Sequence, residues 1–390
     1  MTAPFEQPQH TYTYLFCDLL TDQLLAELPM SGVTYGYTLN GVGTLRGTVP
    51  FSDETLPLDP ETATTPARTA VYVDRDGVLV WGGILWTRED AGGGKAIQCA
   101  EFLSYFQHRY VKLTLSTDTS LITNTGYVGS GAGAQRLYPD QKHIVWSLLR
   151  YARDQAGGEI GLDLNPLAGT GHGITRSATY FGYERPEILK AISELGDAED
   201  GFDFGVELGW TQAATNSPPR RFKRATTYFP RRGRSAADSG LVFSKGGGYG
   251  NIISYAWPDD GTNLVTEMSG LGAGSGEARI VKTAVDADAL SAGWPLLEGV
   301  STYQDVVDEA QVQGLTNAEL EARSSTQPTF EVLADADPEF GSYSVGDEAL
   351  FVIDPETQSP SGRRAVLRIV GIENSAAAGP ERVRLTCVGA

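Results

Sequence analysis

The chain is 390 residues long, more than one hydrophobic core usually covers, so two or more packed units are expected. With 41% hydrophobic and 20% charged residues it is composed like a folded globular protein, which excludes wholesale disorder. A formal charge of -19 disfavours duplex nucleic acid as a partner unless a local basic patch overrides the field.

Met1 to His10 carries neither a basic segment nor an apolar run, so no secretory leader is expected and synthesis is read as cytoplasmic. From Thr11 to Phe102 short apolar or alternating segments, such as Val33 to Leu39, Thr44 to Val49 and Ile97 to Phe102, predict strands. Ala70 to Arg88 predicts a hairpin around Asp74-Arg75-Asp76-Gly77, where Gly77 can supply positive φ. Trp81 and Trp86 in its second strand offer large area to a barrel or sandwich core. Gly77 to Trp86, the most apolar stretch, is about half the roughly 20 residues of a bilayer span, so no membrane span is expected.

Thr114 to Ala134 is rich in Thr, Ser, Gly and Ala and reads as a loop. Over Asp140 to Ala156, Ile144, Val145, Leu148, Leu149 and Ala152 share a helical face, with Asp140 as N-cap and Gly157 beyond the end. A second helix is predicted over Pro186 to Ala198, with Ile188, Leu189, Ile192 and Leu195 as its stripe. Phe202, Phe204, Val206, Leu208 and Trp210 then alternate with Asp203, Gly205, Glu207 and Gly209, the period of a half-buried strand.

Further strands are expected at Leu241 to Ser244, Ile252 to Trp257, Leu264 to Met268 and Ala278 to Ala284. A third helix, Tyr303 to Arg323, carries Val306, Val307, Ala310, Leu315 and Leu320, with Gly314 able to split it. Strands at Phe330 to Leu333, Ala349 to Ile353, Ala365 to Ile372 and Arg382 to Val388 fit a second small barrel. The predicted class is α+β and β-rich, with two barrel-like β-domains and helical segments between them. Its units are 1–113 (β-barrel-like), 114–200 (loop and helices), 201–300 (central, β-rich) and 301–390 (helix and second β-barrel-like domain).

Residues that could carry chemistry do not converge. Cys17, Cys99 and Cys387 are far apart and odd in number, and read as buried thiols. His10, His108, His143 and His172 share no ligand spacing, so neither a metal nor a cofactor is expected. The glycine clusters Gly126 to Gly133 and Gly270 to Gly276 lack the Lys and Ser/Thr ending of a phosphate loop. The acidic groups Asp197/Glu199/Asp200, Asp286/Asp288 and Asp335/Asp337/Glu339 read as surface or loop carboxylates rather than a glycosidase pair or a calcium loop. No Gly-x-Ser-x-Gly elbow occurs, so a non-enzymatic role is expected.

One charge feature stands out: Arg220, Arg221, Lys223, Arg224, Arg231, Arg232 and Arg234, interrupted by Tyr228, Phe229 and Pro230. Basic residues interleaved with aromatics can bind single-stranded nucleic acid or phosphate. Against the acidic background the favoured reading is docking onto acidic surface of a neighbouring subunit.

Four short segments carry a resemblance. Val80-Trp81-Gly82-Gly83-Ile84-Leu85 leads to Cys99-Ala100-Glu101-Phe102-Leu103-Ser104-Tyr105-Phe106; Gly250-Asn251-Ile252-Ile253-Ser254-Tyr255 follows the helix pair; Tyr343-Ser344-Val345-Gly346-Asp347 opens a late strand. In that order they resemble the minor tail proteins of long-tailed phages of actinobacteria that serve as tail or baseplate hub. The resemblance implies a homotrimer whose two barrel-like domains per chain match a six-fold tube. It implies a virion protein at the tail tip, assembled in the host cytoplasm. Such a hub closes the tube, docks the distal tail, tape-measure and fibre-bearing proteins, and opens for DNA without sequence-specific binding. The alternatives are a hexameric distal-tail adaptor, or a glycan-binding or glycan-cleaving tail-tip protein using Trp210, Trp257 and Trp294.

Overall fold

A computed structural model describes residues 10–51, 60–117, 126–128, 135–137, 139–212, 218–247, 250–258, 261–304, 306–324, 327–357, 359–376 and 381–389. The chain opens with β1 (Tyr12–Asp18), β2 (Leu24–Glu27), β3 (Ser31–Thr38), β4 (Thr44–Pro50), a single helical turn α1 (Pro60–Ala63), β5 (Thr69–Arg75), β6 (Val78–Ala91) and β7 (Gly94–Glu101). A helical layer follows: a 3-10 segment Phe102–His108, β8 (Leu115–Ser116), β9 (Gly126–Val128), β10 (Gln135–Leu137), α2 (Gln141–Arg153), β11 (Thr179–Tyr180) and α3 (Ile188–Gly196). Next come β12 (Asp203–Trp210), β13 (Arg221–Tyr228), the short α4 (Ala236–Ser239), β14 (Val242–Lys245) and β15 (Ile252–Ala256). A side unit holds β16 (Glu267–Leu271), β17 (Val281–Val285), α5 (Ala287–Ser291), β18 (Glu298–Thr302) and α6 (Glu309–Ser324). The last strands are β19 (Thr329–Leu333), β20 (Glu348–Ile353), β21 (Arg363–Ser375) and β22 (Arg382–Gly389).

Thirteen strands from both ends of the chain form one sheet, in the order β15-β19-β22-β21-β3-β4-β7-β6-β5-β1-β2, with β20 added to β21 and β14 parallel to β20. The joint is β21. Its first half pairs with β20, from Glu348↔Arg368 to Ile353↔Arg363, and its second half pairs with β3 along the same edge, from Thr38↔Gly371 to Thr34↔Ser375. The other edge takes β22. Among the described residues the ladder is an open path from β15 to β2, and it links the two β-regions.

The alternation of each strand decides which core it feeds. Tyr14 and Phe16 of β1 and Val71 and Val73 of β5 face a core shared with Phe243, Phe330, Phe351, Ile369 and Leu385 from the other end of the chain. Leu15, Cys17, Ala70 and Tyr72 face the opposite way, onto the helical layer. Strands β1 and β5 are therefore covered on both faces, which explains why their sequences are nearly continuous apolar runs. In the shared core Phe330 and Phe351 stack at 4.2 Å, and Trp81, fully buried, donates its Nε1 proton to the Gly36 carbonyl at 3.0 Å.

Helix α2 begins where Asp140 accepts the Lys142 amide at 2.9 Å and buries the predicted stripe. Helix α3 starts at Ile188, later than expected, because Glu187 is extended and bridges Tyr110 while the Val111 amide donates to the Pro186 carbonyl. In the side unit β16 runs over Glu267–Leu271 and β17 over Val281–Val285, each shifted a few residues from the predicted spans. Helix α6 begins at Glu309, not Tyr303, since Tyr303 and Val306 bond the β16 end through Leu271 and Ala273. It runs unbroken through Gly314, where a Cβ would stand 3.1 Å from the Glu199 amide. Gly270 is needed for close approach: a Cβ there would fall 1.9 Å from the Thr316 hydroxyl of α6.

Candidate functional site

The basic run becomes a hairpin. Strand β13 pairs with β12 along its whole length, from Asp203↔Tyr228 to Trp210↔Arg221, so Arg221 and Lys223 leave on one face and Arg224 on the other. The Arg221 guanidinium sits between the rings of Tyr72 and Trp210, at 5.4 and 5.7 Å, and reaches Asp22 at 3.1 Å. Lys223 is buried, with its Nζ 4.6 Å from the centre of the Phe102 ring, and burial lowers its pKa. Arg224 stacks on Phe222 at 4.2 Å and approaches Asp163 at 3.5 Å. Arg232 lies over Tyr228, and Arg234 forks onto Asp347 at 2.7 and 3.2 Å. Arg220 and Arg231 are exposed. Neighbours in sequence thus serve different partners, and the guanidiniums of Arg221, Arg224 and Arg234 are engaged within the chain.

A second polar constellation lies at the seam between the first and last strands. His10 Nδ1 is 2.6 Å from Asp76 in the β5–β6 turn, and its Nε2 is 2.8 Å from Asp335 in the segment after β19. Beside it the nearly buried Arg75 donates to Glu381 at 2.9 Å, while the Tyr12 hydroxyl and Asn374 also donate to Glu381. Burial alone would lower the His10 pKa; the hydrogen bonds to Asp335 and Asp76 outweigh it and raise the value. The Thr11 amide, then His10, hold Asp76 below the usual carboxylate range. Ligand atoms of His10, Asp335 and Glu381 lie within 4.8 Å of one another, but Arg75 already supplies the cation, 2.9 Å from Glu381 and 4.0 Å from Asp335.

The remaining sequence candidates are dispersed. All three cysteines are buried and free, and burial pushes the Cys17 thiol up to about 12 and raises Cys99 and Cys387 further. His172 stacks on Phe229 at 5.0 Å, His108 packs on Trp86 at 4.6 Å, and His143 contacts the Gly169 carbonyl at 3.1 Å. Asp197 caps α3, its carboxyl pushed up to about 6 by burial and then by Glu319; Asp286 caps α5. Trp210 donates to Asp74 at 3.0 Å and Trp257 packs edge-on against Phe330, whereas Trp294 is 54% exposed. Of the first glycine cluster, 129–133 lie outside the described residues.

Two groups carry no sequence signal. Asp203, read only as the polar half of an alternation, collects Asn40 Nδ2 at 2.8 Å, the Arg232 amide at 2.5 Å and the Arg368 guanidinium. Glu101 lines a cavity of about 320 Å³ with Tyr37, Leu79, Phe204, Phe222 and Arg232. Its carboxyl, pushed up to about 7 by burial, accepts the Gly43 amide at 2.6 Å.

This arrangement of sheet, helical layer and side unit is a fold found in phage tail proteins. It is similar along its length to the prophage tail protein gp18 from Listeria monocytogenes EGD-e, with a TM-score of 0.52, 13% identity, and coverage of 96% of this chain and 94% of that one. It is similar to the tail protein from Neisseria meningitidis MC58 at a TM-score of 0.54 and 10% identity, covering 96% of each chain. For the 43 kDa tail protein of prophage MuSo2 from Shewanella oneidensis the TM-score is 0.54 at 11% identity, covering 97% of this chain and 98% of that one. No family model matches the chain, and no curated protein matches it in sequence.

Proposed function

We propose that this chain is a structural virion protein of a phage tail, the hub at the tail tip. In this reading it closes the tail tube, docks the distal tail, tape-measure and fibre-bearing proteins, and opens for DNA delivery. The observation that carries the proposal is the end-to-end likeness in fold to three phage tail proteins, over at least 96% of this chain. The short motifs around Trp81, Asn251 and Gly346 support a hub of a long-tailed phage of an actinobacterial host. Three copies would set six barrel-like β-domains around the axis, as the resemblance implies. Arg220, before β13, and Arg231, after it, are exposed and could meet an acidic neighbour.

Native mass measurement of the purified chain, followed by electron microscopy of the particle, tests the reading. A trimeric ring with pseudo-six-fold symmetry is expected. A hexamer favours the distal-tail adaptor, and a monomer that releases sugar from host cell wall overturns the structural role.

A further inference from the structure

The seam around His10 carries an inference that does not depend on the tail assignment. A carboxylate can only accept hydrogen bonds, yet each ring nitrogen of His10 faces one, Asp76 at 2.6 Å and Asp335 at 2.8 Å. Both nitrogens must therefore carry a proton, which only the imidazolium does. The two carboxylates belong to distant parts of the chain, the β5–β6 turn and the segment following β19. We propose that His10 is a pH-operated clasp: as an imidazolium it ties the β5–β6 turn to the C-terminal strands, and on losing its proton it releases that corner of the seam.

Among the described residues, four charged groups face the ring. From β5 comes Arg75, from the turn Asp76, from the segment after β19 Asp335, and from the start of β22 Glu381. The neighbouring hydroxyl of Tyr12 stays un-ionised because burial and the nearby Tyr35 and Glu381 raise its pKa, and burial does the same for Tyr343. When the ring is neutral, three carboxylates face a single guanidinium among the described residues, and one of them meets a nitrogen lone pair. The same corner is also tied by the Thr11 amide to Asp76 Oδ1 at 2.8 Å, by the Asp76 amide to the Thr11 carbonyl at 3.0 Å, and by the neighbouring Arg75 to Glu381 at 2.9 Å. Deprotonation loosens this corner while the shared core beneath, with Phe16, Val73, Phe330 and Leu385, stays packed.

The sign follows from linkage. Because the folded pKa of His10 is raised above 6.5, the clasp contributes fully below 6.5 and is lost as pH rises through the folded value. The chain has four histidines, so their ring Cε1–H signals can be followed individually by NMR after selective labelling, with His10 assigned from its absence in His10→Gln. Three results are expected: a His10 midpoint above 6.5, a lower midpoint in Asp335→Asn, and exchange of the Asp76 amide that accelerates beyond its intrinsic rate in step with the midpoint. On going from about pH 6 to about pH 9 the wild type should lose roughly 2–4 °C more in Tm than His10→Gln. A His10 midpoint at or below 6.5, or one unmoved in Asp335→Asn, overturns the proposal. So does Asp76 exchange that follows only the intrinsic rate. If His10→Gln does not fold, the signal whose midpoint moves in Asp335→Asn assigns His10, and the exchange measurement decides.

Discussion

Arg368 on the outer face of β21 and Asp203 at the first position of β12 form a nearly buried ion pair, their side chains 11% and 6% exposed. The pair fastens the basic hairpin, and with it the helical layer, to the joint strand of the large sheet. Asp203→Ala would leave a buried guanidinium without its counter-charge, and the Asn40 amide and Arg232 amide without their acceptor. A loss of about 3–5 kcal/mol is expected. Urea unfolding followed by circular dichroism measures it; a loss within the noise of a surface substitution would mean that the pair anchors nothing.

Trp81 fills the centre of the shared core and spends its one polar atom on Gly36. Trp81→Ala should cost about 3–5 kcal/mol through the cavity it leaves. Trp81→Phe keeps much of the apolar volume but orphans the Gly36 carbonyl, for about 1–3 kcal/mol. The order of the two midpoints in guanidinium chloride checks the assignment, since equal losses would remove the hydrogen bond from the account.

Glu101 gives a pH dependence opposite to that of a paired surface carboxylate. Burial raises its folded pKa from 4.5 to about 7, so between these values the folded state holds a proton that the unfolded state has lost. Stability therefore falls as pH rises through that window and stays lower above it. Glu101→Gln should remove this component, on the order of 2 kcal/mol, and raise stability at neutral pH. Thermal melts of both proteins from about pH 5 to about pH 8 give the comparison, and parallel curves would refute it.

Features written in local spacing were legible in the sequence. The hairpin around Gly77, the stripe and N-cap of α2 and the alternation of β12 each depend on residues a few positions apart, and each is present. Pairing was not legible, because a period of two says which face a residue takes and not which strand lies beside it. Nothing near Thr38 points to Gly371, nor does anything near Val242 announce a parallel partner at Leu350. The same limit hid the seam: His10 reads as an isolated histidine until the fold carries Asp76 and Asp335 to its two nitrogens. It also made the basic run look like one patch, whereas Arg221, Arg224 and Arg234 go to Asp22, Asp163 and Asp347.

That division separates the arginines by experiment. Arg220→Ala combined with Arg231→Ala should change unfolding stability by no more than about 0.5 kcal/mol, as for other exposed positions, while weakening self-association in sedimentation velocity. Arg234→Ala removes the guanidinium from the Asp347 carboxylate, 3% exposed, leaving it the backbone amides of residues 234 and 344, and should cost about 1–3 kcal/mol. If the double variant associates as well as the wild type, these two arginines have no docking role.

The position of β21 also governs how the molecule can be made. At typical elongation rates its β3-pairing half leaves the ribosome roughly 15–70 s after β3, some 330 positions earlier. Throughout that interval β3 presents a naked ladder edge, and Phe16, Tyr35 and Trp81 wait without the Phe330, Ile369 and Leu385 side of their core. The nascent polypeptide is consequently the vulnerable species, and the cell that translates it must shelter an unfinished sheet until the closing strand arrives.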